Sequence, residues 1–293
     1  MLYNIVVTVV ILYLTVQGLN GDGLWKGRCG NQGEPTTKIM GGSHAYMGEW
    51  PWMVRLLSCS DGHCYGCGGS LISDQWVLTA AHCVDQCERI YASLGEHNRE
   101  DSGNNEVHLS IIENIVHKDY NNKSLANDIA LLRLSESLDL SGSHNHLEPI
   151  CLDSSKIRVN TTCVATGWGR TELTDSHSIL QKVELPIADD GLCVNKWGGQ
   201  YQASNQVCAG IPNNNKDTCH GDSGGPLACK LYTGPWMLNG ITSYGSTQQG
   251  AKCIAPPSVY TRVSAYLPWI KEIMIEKIKE SRFGNAIANR HVW

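Results

Sequence analysis

The amino-acid sequence predicts an all-β fold, barrel or sandwich, followed by one C-terminal helix, and three observations carry that expectation. From residue 39 onward, short β-rich runs alternate with clusters of Gly, Asn, Asp and Ser. Thirty glycines stand against a single phenylalanine, a composition suited to many tight turns and to backbone-lined sites. A helical stripe breaks the pattern only near the end, where Leu267, Ile270, Met274 and Ile278 recur within Ser264 to Glu280. Ordinary packing against the strands accounts for that stripe. At 293 residues the chain can bury a substantial core as one large domain or two ordinary ones.

In chain order, Ile5 to Val16 is an apolar run of the length of a signal-peptide core, and small residues follow at Gly18 and Gly21. Residues 1–18 are therefore expected to be a signal peptide, although the usual basic residues before the run are missing. A retained anchor is the lesser alternative, because the run is short for a bilayer. Residues 19–38 are polar and glycine-rich and form a leader. The expected strands include Trp52 to Leu57, Ser70 to Ala80, Ile129 to Leu134, Thr162 to Gly167 and Met237 to Ser243. Ser281 to Trp293 has no period and reads as a tail.

A net charge of -5 gives no reason to expect a nucleic-acid partner. Thirteen cysteines, scattered rather than arranged as paired CxxC motifs, favour disulfides in an oxidising compartment over a zinc ribbon. Secretion follows as an expectation. Two sequons, Asn122-Lys123-Ser124 and Asn160-Thr161-Thr162, are compatible with it.

Three segments carry chemistry. In Cys219-His220-Gly221-Asp222-Ser223-Gly224-Gly225-Pro226-Leu227, one serine sits among glycines that let backbone N–H groups converge beside it. Acyl transfer builds negative charge on a carbonyl oxygen, and fixed donors stabilise it by about 3 kcal/mol each. A serine hydroxyl needs a base, and Leu78-Thr79-Ala80-Ala81-His82-Cys83 ends a strand with one. In Asn127-Asp128-Ile129-Ala130-Leu131-Leu132, an acid precedes an apolar strand, where a buried carboxylate would orient the imidazole. Each segment alone has a plain structural explanation: a glycine turn, a structural histidine or metal ligand, a turn aspartate. Three together, in the order His, Asp, Ser, do not.

With Lys38-Ile39-Met40-Gly41-Gly42, these motifs closely resemble the chymotrypsin-like (trypsin family) serine peptidases over about residues 39–272. The resemblance implies two packed antiparallel Greek-key β-barrels with a boundary near residue 150, the site in the cleft between them and a helix at the end. Residues 273–293 are then the end of that helix and the tail. It also implies His82, Asp128 and Ser223 as catalytic residues, Gly221 and Ser223 as oxyanion donors, and Ser243 behind Asp128. No cofactor is required.

The family is made as an inactive precursor, so an activating protease is expected to cut after Lys38, freeing the Ile39 amine to pair with Asp222. The family framework pairs Cys29 with Cys151, Cys67 with Cys83, Cys163 with Cys229, Cys193 with Cys208, and Cys219 with Cys253. Cys59, Cys64 and Cys87 are left over, and the odd total leaves one thiol free or bonded to another chain.

The resemblance places Asp217 at the floor of the specificity pocket, walled by Thr218, Ser243, Tyr244, Gly245 and Ser258. That carboxylate favours cleavage after Arg or Lys. Ser258, the long stretch Ser246 to Lys252 and Tyr244 point instead toward an elastase- or chymotrypsin-like preference. A non-catalytic relative serving as a binding module would lack part of the triad, and no part is missing. Protein or peptide substrates and protein inhibitors are the implied partners, and a membrane is not. Glu96 and Glu106, with carbonyls from Asn98 and Asp101, match the family's calcium loop, although Gly103 stands where a further acid is expected.

Overall fold

A computed structural model describes residues 27–34, 44–101, 103, 105–170, 177–212, 217–230, 234–245 and 257–288, with backbone alone from 281. The expected signal peptide, Lys38 and Ile39, Cys253 and the stretch Ser246 to Lys252 lie outside the described residues.

Six strands form a closed antiparallel barrel: β1 (Met53–Ser60), β2 (His63–Leu71), β3 (Trp76–Thr79), β4 (Arg89–Leu94), β5 (Val107–Val116) and β6 (Ala130–Leu134), in the order β1-β2-β3-β6-β5-β4. β1 and β2 are joined by Asp61-Gly62, both at positive φ, the two-residue turn whose twist matches that of the flanking strands. Along β5, half-buried and exposed residues alternate, as they should where only one face meets the core. In β6, Ala-Leu-Leu-Arg-Leu is buried except at Arg133, and Asp128 lies two residues before it.

A second set of six follows: β7 (Thr162–Gly167), β8 (Gln181–Pro186), β9 (Gln206–Ala209), β10 (Pro226–Lys230), β11 (Trp236–Tyr244) and β12 (Ser258–Arg262), ordered β8-β7-β10-β11-β12-β9. A bridge between Ile187 and Ala209 joins its two edges, so this sheet also curls into a barrel. Between β8 and β9 lies α1 (Asp190–Trp197), whose N-cap Asp189 accepts from Gly191 N. The final helix, α2 (Val263–Ala288), buries Tyr266, Leu267, Ile270 and Met274.

Three expectations need correction. Residues 281–288, expected to be part of the tail, continue α2. Ser70 to Ala80 is not one strand: Ser73 Oγ accepts from the N–H groups of Gln75 and Trp76, and that local turn separates β2 from β3. Ile278, expected on the buried stripe of the helix, is 46% exposed, because α2 packs inward only as far as Met274.

Cys29–Cys151, Cys67–Cys83, Cys163–Cys229 and Cys193–Cys208 are bonded as the family framework implies. Of the three left-over cysteines, Cys59 bonds Cys64 across the β1–β2 hairpin and Cys87 is a free thiol. Cys219 is disulfide-bonded, and its expected partner Cys253 lies outside the described residues.

Candidate active site

The two barrels meet closely at glycines. A Cβ added to Gly68 on β2 would stand 2.7 Å from the Gly225 Cα, so neither barrel tolerates a side chain at this contact. Gly68 N donates to the Ser223 carbonyl at 2.7 Å, tying the serine turn of the second barrel to the first. His82 sits in a single helical turn after β3, and the Cys67–Cys83 disulfide anchors that turn to β2. The serine turn and the His82 turn, far apart in sequence, are therefore both tied to β2.

Asp128 is buried, 1% exposed, and its charge is met by hydrogen-bond donors. Oδ1 accepts from His82 N at 2.9 Å, and Oδ2 from His82 Nδ1 at 2.8 Å and from Ser243 Oγ at 2.6 Å. Thr261 Oγ1 donates to the Asp128 carbonyl at 2.7 Å, fixing the backbone. An ionised carboxylate only accepts, so the imidazole proton belongs on Nδ1 and Nε2 keeps its lone pair. His82 and the two cysteines beside it also form a cluster of metal-ligating atoms, but Cys67 and Cys83 are bonded to each other and offer no thiolate.

Around Ser223 the backbone is set by short bonds: Asp222 N to Cys219 O at 3.0 Å, Gly225 N to Asp222 O at 3.0 Å and Gly224 N to Thr242 O at 2.9 Å. The N–H groups of Gly221 and Ser223 have no acceptor among the described residues, and Gly221 holds φ +99, a conformation that suits glycine. Two unpaired donors on one turn can stabilise an oxyanion. The Asp222 side chain points away, accepting from Gly169 N and Cys219 N at 2.9 Å each. Burial pushes its carboxyl up to about 6, and those two bonds only partly offset that.

Asp217 lies within the electrostatic reach of Asp222 on this turn. Burial pushes its carboxyl up to about 6, opposed by hydrogen bonds from Ser258 Oγ at 2.7 Å and Thr218 N at 2.8 Å and by the nearby Lys196 ammonium. A Cβ on Gly245 would collide with Ser258 Oγ, so the serine hydroxyl stands against Gly245. Tyr244 packs edge-on against Trp197, their rings 5.1 Å apart. Thr218 exchanges a hydrogen bond with Tyr260 at 3.0 Å. Ser243, expected both on the pocket wall and behind Asp128, directs its hydroxyl to Asp128. Lys196 was not expected here: a lysine in the last turn of a short helix carries no motif, and only its place beside Asp217 marks it.

Glu96 and Glu106 face each other. Burial, then the neighbouring Glu106 carboxylate, raises the Glu96 carboxyl. Glu106 Oε1 accepts from Gly103 N at 3.1 Å, and the Asn98 carbonyl accepts from Asp101 N at 3.0 Å. Two converging carboxylates, one of them buried, are a donor set suited to a hard cation. The sequons at Asn122 and Asn160 are exposed.

Residues 39–270 match the trypsin family. The chain belongs to that family. It is 36% identical to cathepsin G of Mus musculus over 245 residues, which span 83% of this chain and 88% of that protein. The solved structure of GrC, granzyme C, matches with a TM-score of 0.71 at 30% identity, covering 80% of this chain and 99% of its own. This trypsin-family chain is thus a chymotrypsin-like serine endopeptidase, which requires no cofactor. Peptidases of this family act on protein substrates and are regulated by inhibitors.

Proposed function

We propose that this peptidase is secreted as a precursor, activated by cleavage after Lys38, and hydrolyses peptide bonds after Arg or Lys through an acyl-enzyme on Ser223. The observation that carries the catalytic assignment is the Asp128 carboxylate, buried and accepting from both His82 Nδ1 and Ser243 Oγ. His82 Nε2 takes the Ser223 hydroxyl proton as Oγ attacks the substrate carbonyl, and Asp128 stabilises the resulting imidazolium. The N–H groups of Gly221 and Ser223 receive the negative charge on the carbonyl oxygen. The proton then passes to the leaving amine. Water repeats the sequence to release the acyl group.

For control, the Ile39 ammonium freed after Lys38 is the natural partner for Asp222, a buried carboxylate served by two amides among the described residues. For substrate choice, Asp217 supplies a buried carboxyl group at the pocket floor. The disulfides and the apolar run Ile5 to Val16 support secretion from residue 19 onward, with residues 19–38 as activation leader and Cys29–Cys151 retaining it after cleavage. Glycans are assigned to Asn122 and Asn160.

One observation favours a second reading: Ser258 Oγ donates to Asp217 and stands against Gly245, which suits a smaller, elastase- or chymotrypsin-like residue. Matched peptides carrying Arg, Lys, Leu or Ala before the scissile bond separate the two, with enzyme cut after Lys38 and Ser223→Ala as control. Cleavage after Arg or Lys that is lost in the control is expected. Cleavage only after Leu or Ala overturns the basic-residue preference but leaves the triad standing.

A further inference from the structure

Asp217 is more fully engaged than a bare pocket carboxylate. Its Oδ2 accepts from Ser258 Oγ and its Oδ1 from Thr218 N. Ser258 is the first residue of β12, and the residue before it is held from α1. Lys196 Nζ donates to the Pro257 carbonyl at 3.1 Å, and Trp197 Nε1 donates to the same oxygen at 3.3 Å. The Lys196 ammonium also lies 4.8 Å from the centre of the Trp197 ring, which fixes its direction. A continuous chain of contacts therefore runs from Lys196 through Pro257 and Ser258 to one oxygen of the pocket floor.

We infer that Lys196 is a positioning residue for substrate choice: by clamping Pro257 it keeps the Ser258 hydroxyl on Asp217, and the pocket in consequence favours lysine over arginine. The inference rests on Asp217 forming the floor of a basic-residue pocket. A guanidinium gains most from a carboxylate when two parallel N–H groups meet both oxygens, whereas an ammonium is a compact charge that is satisfied by one. With Ser258 Oγ on Oδ2 and reaching toward Gly245, the two-oxygen geometry is obstructed and the one-oxygen geometry remains.

Lys196 also acts through its charge. Among the described residues, the charged and titratable groups facing Asp217 are Lys196 from α1, Asp222 from the serine turn and Tyr260 from β12. Lys196 lowers the Asp217 pKa and Asp222 raises it. Loss of the ammonium leaves the burial of Asp217 less opposed, so its pKa rises and basic substrates lose their anchor at a higher pH.

The test uses the secreted full chain cut after Lys38, with active sites counted by titration and matched Lys and Arg peptides assayed from pH 5 to 9. The parent should cleave the Lys peptide with the higher kcat/KM. Lys196→Met should lower the Lys-to-Arg ratio about tenfold, the effect of one hydrogen bond to a charged group. It should also move the acid limb to higher pH. Lys196→Arg should restore both, since its guanidinium keeps the charge and a donor. Ser258→Gly should reproduce the ratio change, and adding Lys196→Met to it should change the ratio no further. That variant also serves where Lys196→Met fails to fold.

A ratio and acid limb unmoved by Lys196→Met in a folded enzyme overturn the inference. So does a parent that prefers Arg, while the basic-residue preference survives. A parent that cleaves after neither Lys nor Arg overturns that preference and this inference together.

Discussion

Replacing Asp222 by asparagine should have opposite consequences before and after cleavage at Lys38, and the sizes follow from the structure. In the uncleaved chain, burial pushes the Asp222 carboxyl from its ordinary 3.8 to about 6. A carboxyl whose folded pKa is raised costs nothing well below pH 3.8, where it is protonated folded or unfolded, and costs stability increasingly as pH rises from 3.8 to 6, after which the cost is constant. At about 1.4 kcal/mol for each tenfold change, that cost reaches about 3 kcal/mol at pH 8 and is under about 1 kcal/mol at pH 4. Asparagine removes it but keeps only one acceptor for the Gly169 and Cys219 amides, a loss of about 1 kcal/mol. Asp222→Asn, placed in a Ser223→Ala background to prevent self-cleavage, should therefore stabilise the uncleaved chain by about 2 kcal/mol at pH 8 and give no gain at pH 4. Urea unfolding followed by tryptophan fluorescence at the two pH values measures this. Cleaved Asp222→Asn with Ser223 intact should be inactive, because the Ile39 ammonium has lost its counter-charge. Equal pH dependence of the two uncleaved chains would refute the argument, since it would mean that Asp222 carries no burial cost to relieve.

Three further outcomes follow from the same geometry. Ser243→Ala removes the 2.6 Å bond to Asp128 and should lower kcat by about tenfold to a hundredfold with KM little changed, as measured on any cleaved peptide. Calcium should raise the melting temperature and Glu106→Gln should abolish the rise, because the ion relieves the repulsion between Glu106 and the buried Glu96; a melting point indifferent to chelation argues against the ion. Alkylation of the unfolded but unreduced chain should label Cys87, and a peptide map should recover Cys59 linked to Cys64.

The catalytic segments were legible because each is encoded by contiguous residues. The turn around Ser223 needs its own glycines, His82 follows its own strand, and Asp128 precedes an apolar run that must be buried. Thr162–Gly167 was readable as a strand for the same reason, whereas the Asp61-Gly62 turn that brings Cys59 opposite Cys64, and with it that pairing, was not read from the sequence. Where a local hydrogen bond competed with β propensity, as at Ser73, the run of apolar residues misled.

The specificity pocket belongs to tertiary structure. Asp217 suggested an open carboxylate awaiting a cation, yet Ser258 and Thr218 already donate to it and Lys196 lies within its field. Those groups come from α1, from the loop before the serine turn and from β12, and β12 is placed by its pairing with β9 and β11. The sequence by itself determined which residues can do the chemistry, since that chemistry is carried by short motifs. Only the folded barrels decided which charges meet in the pocket, because its electrostatics depend on distances between segments that share no local pattern.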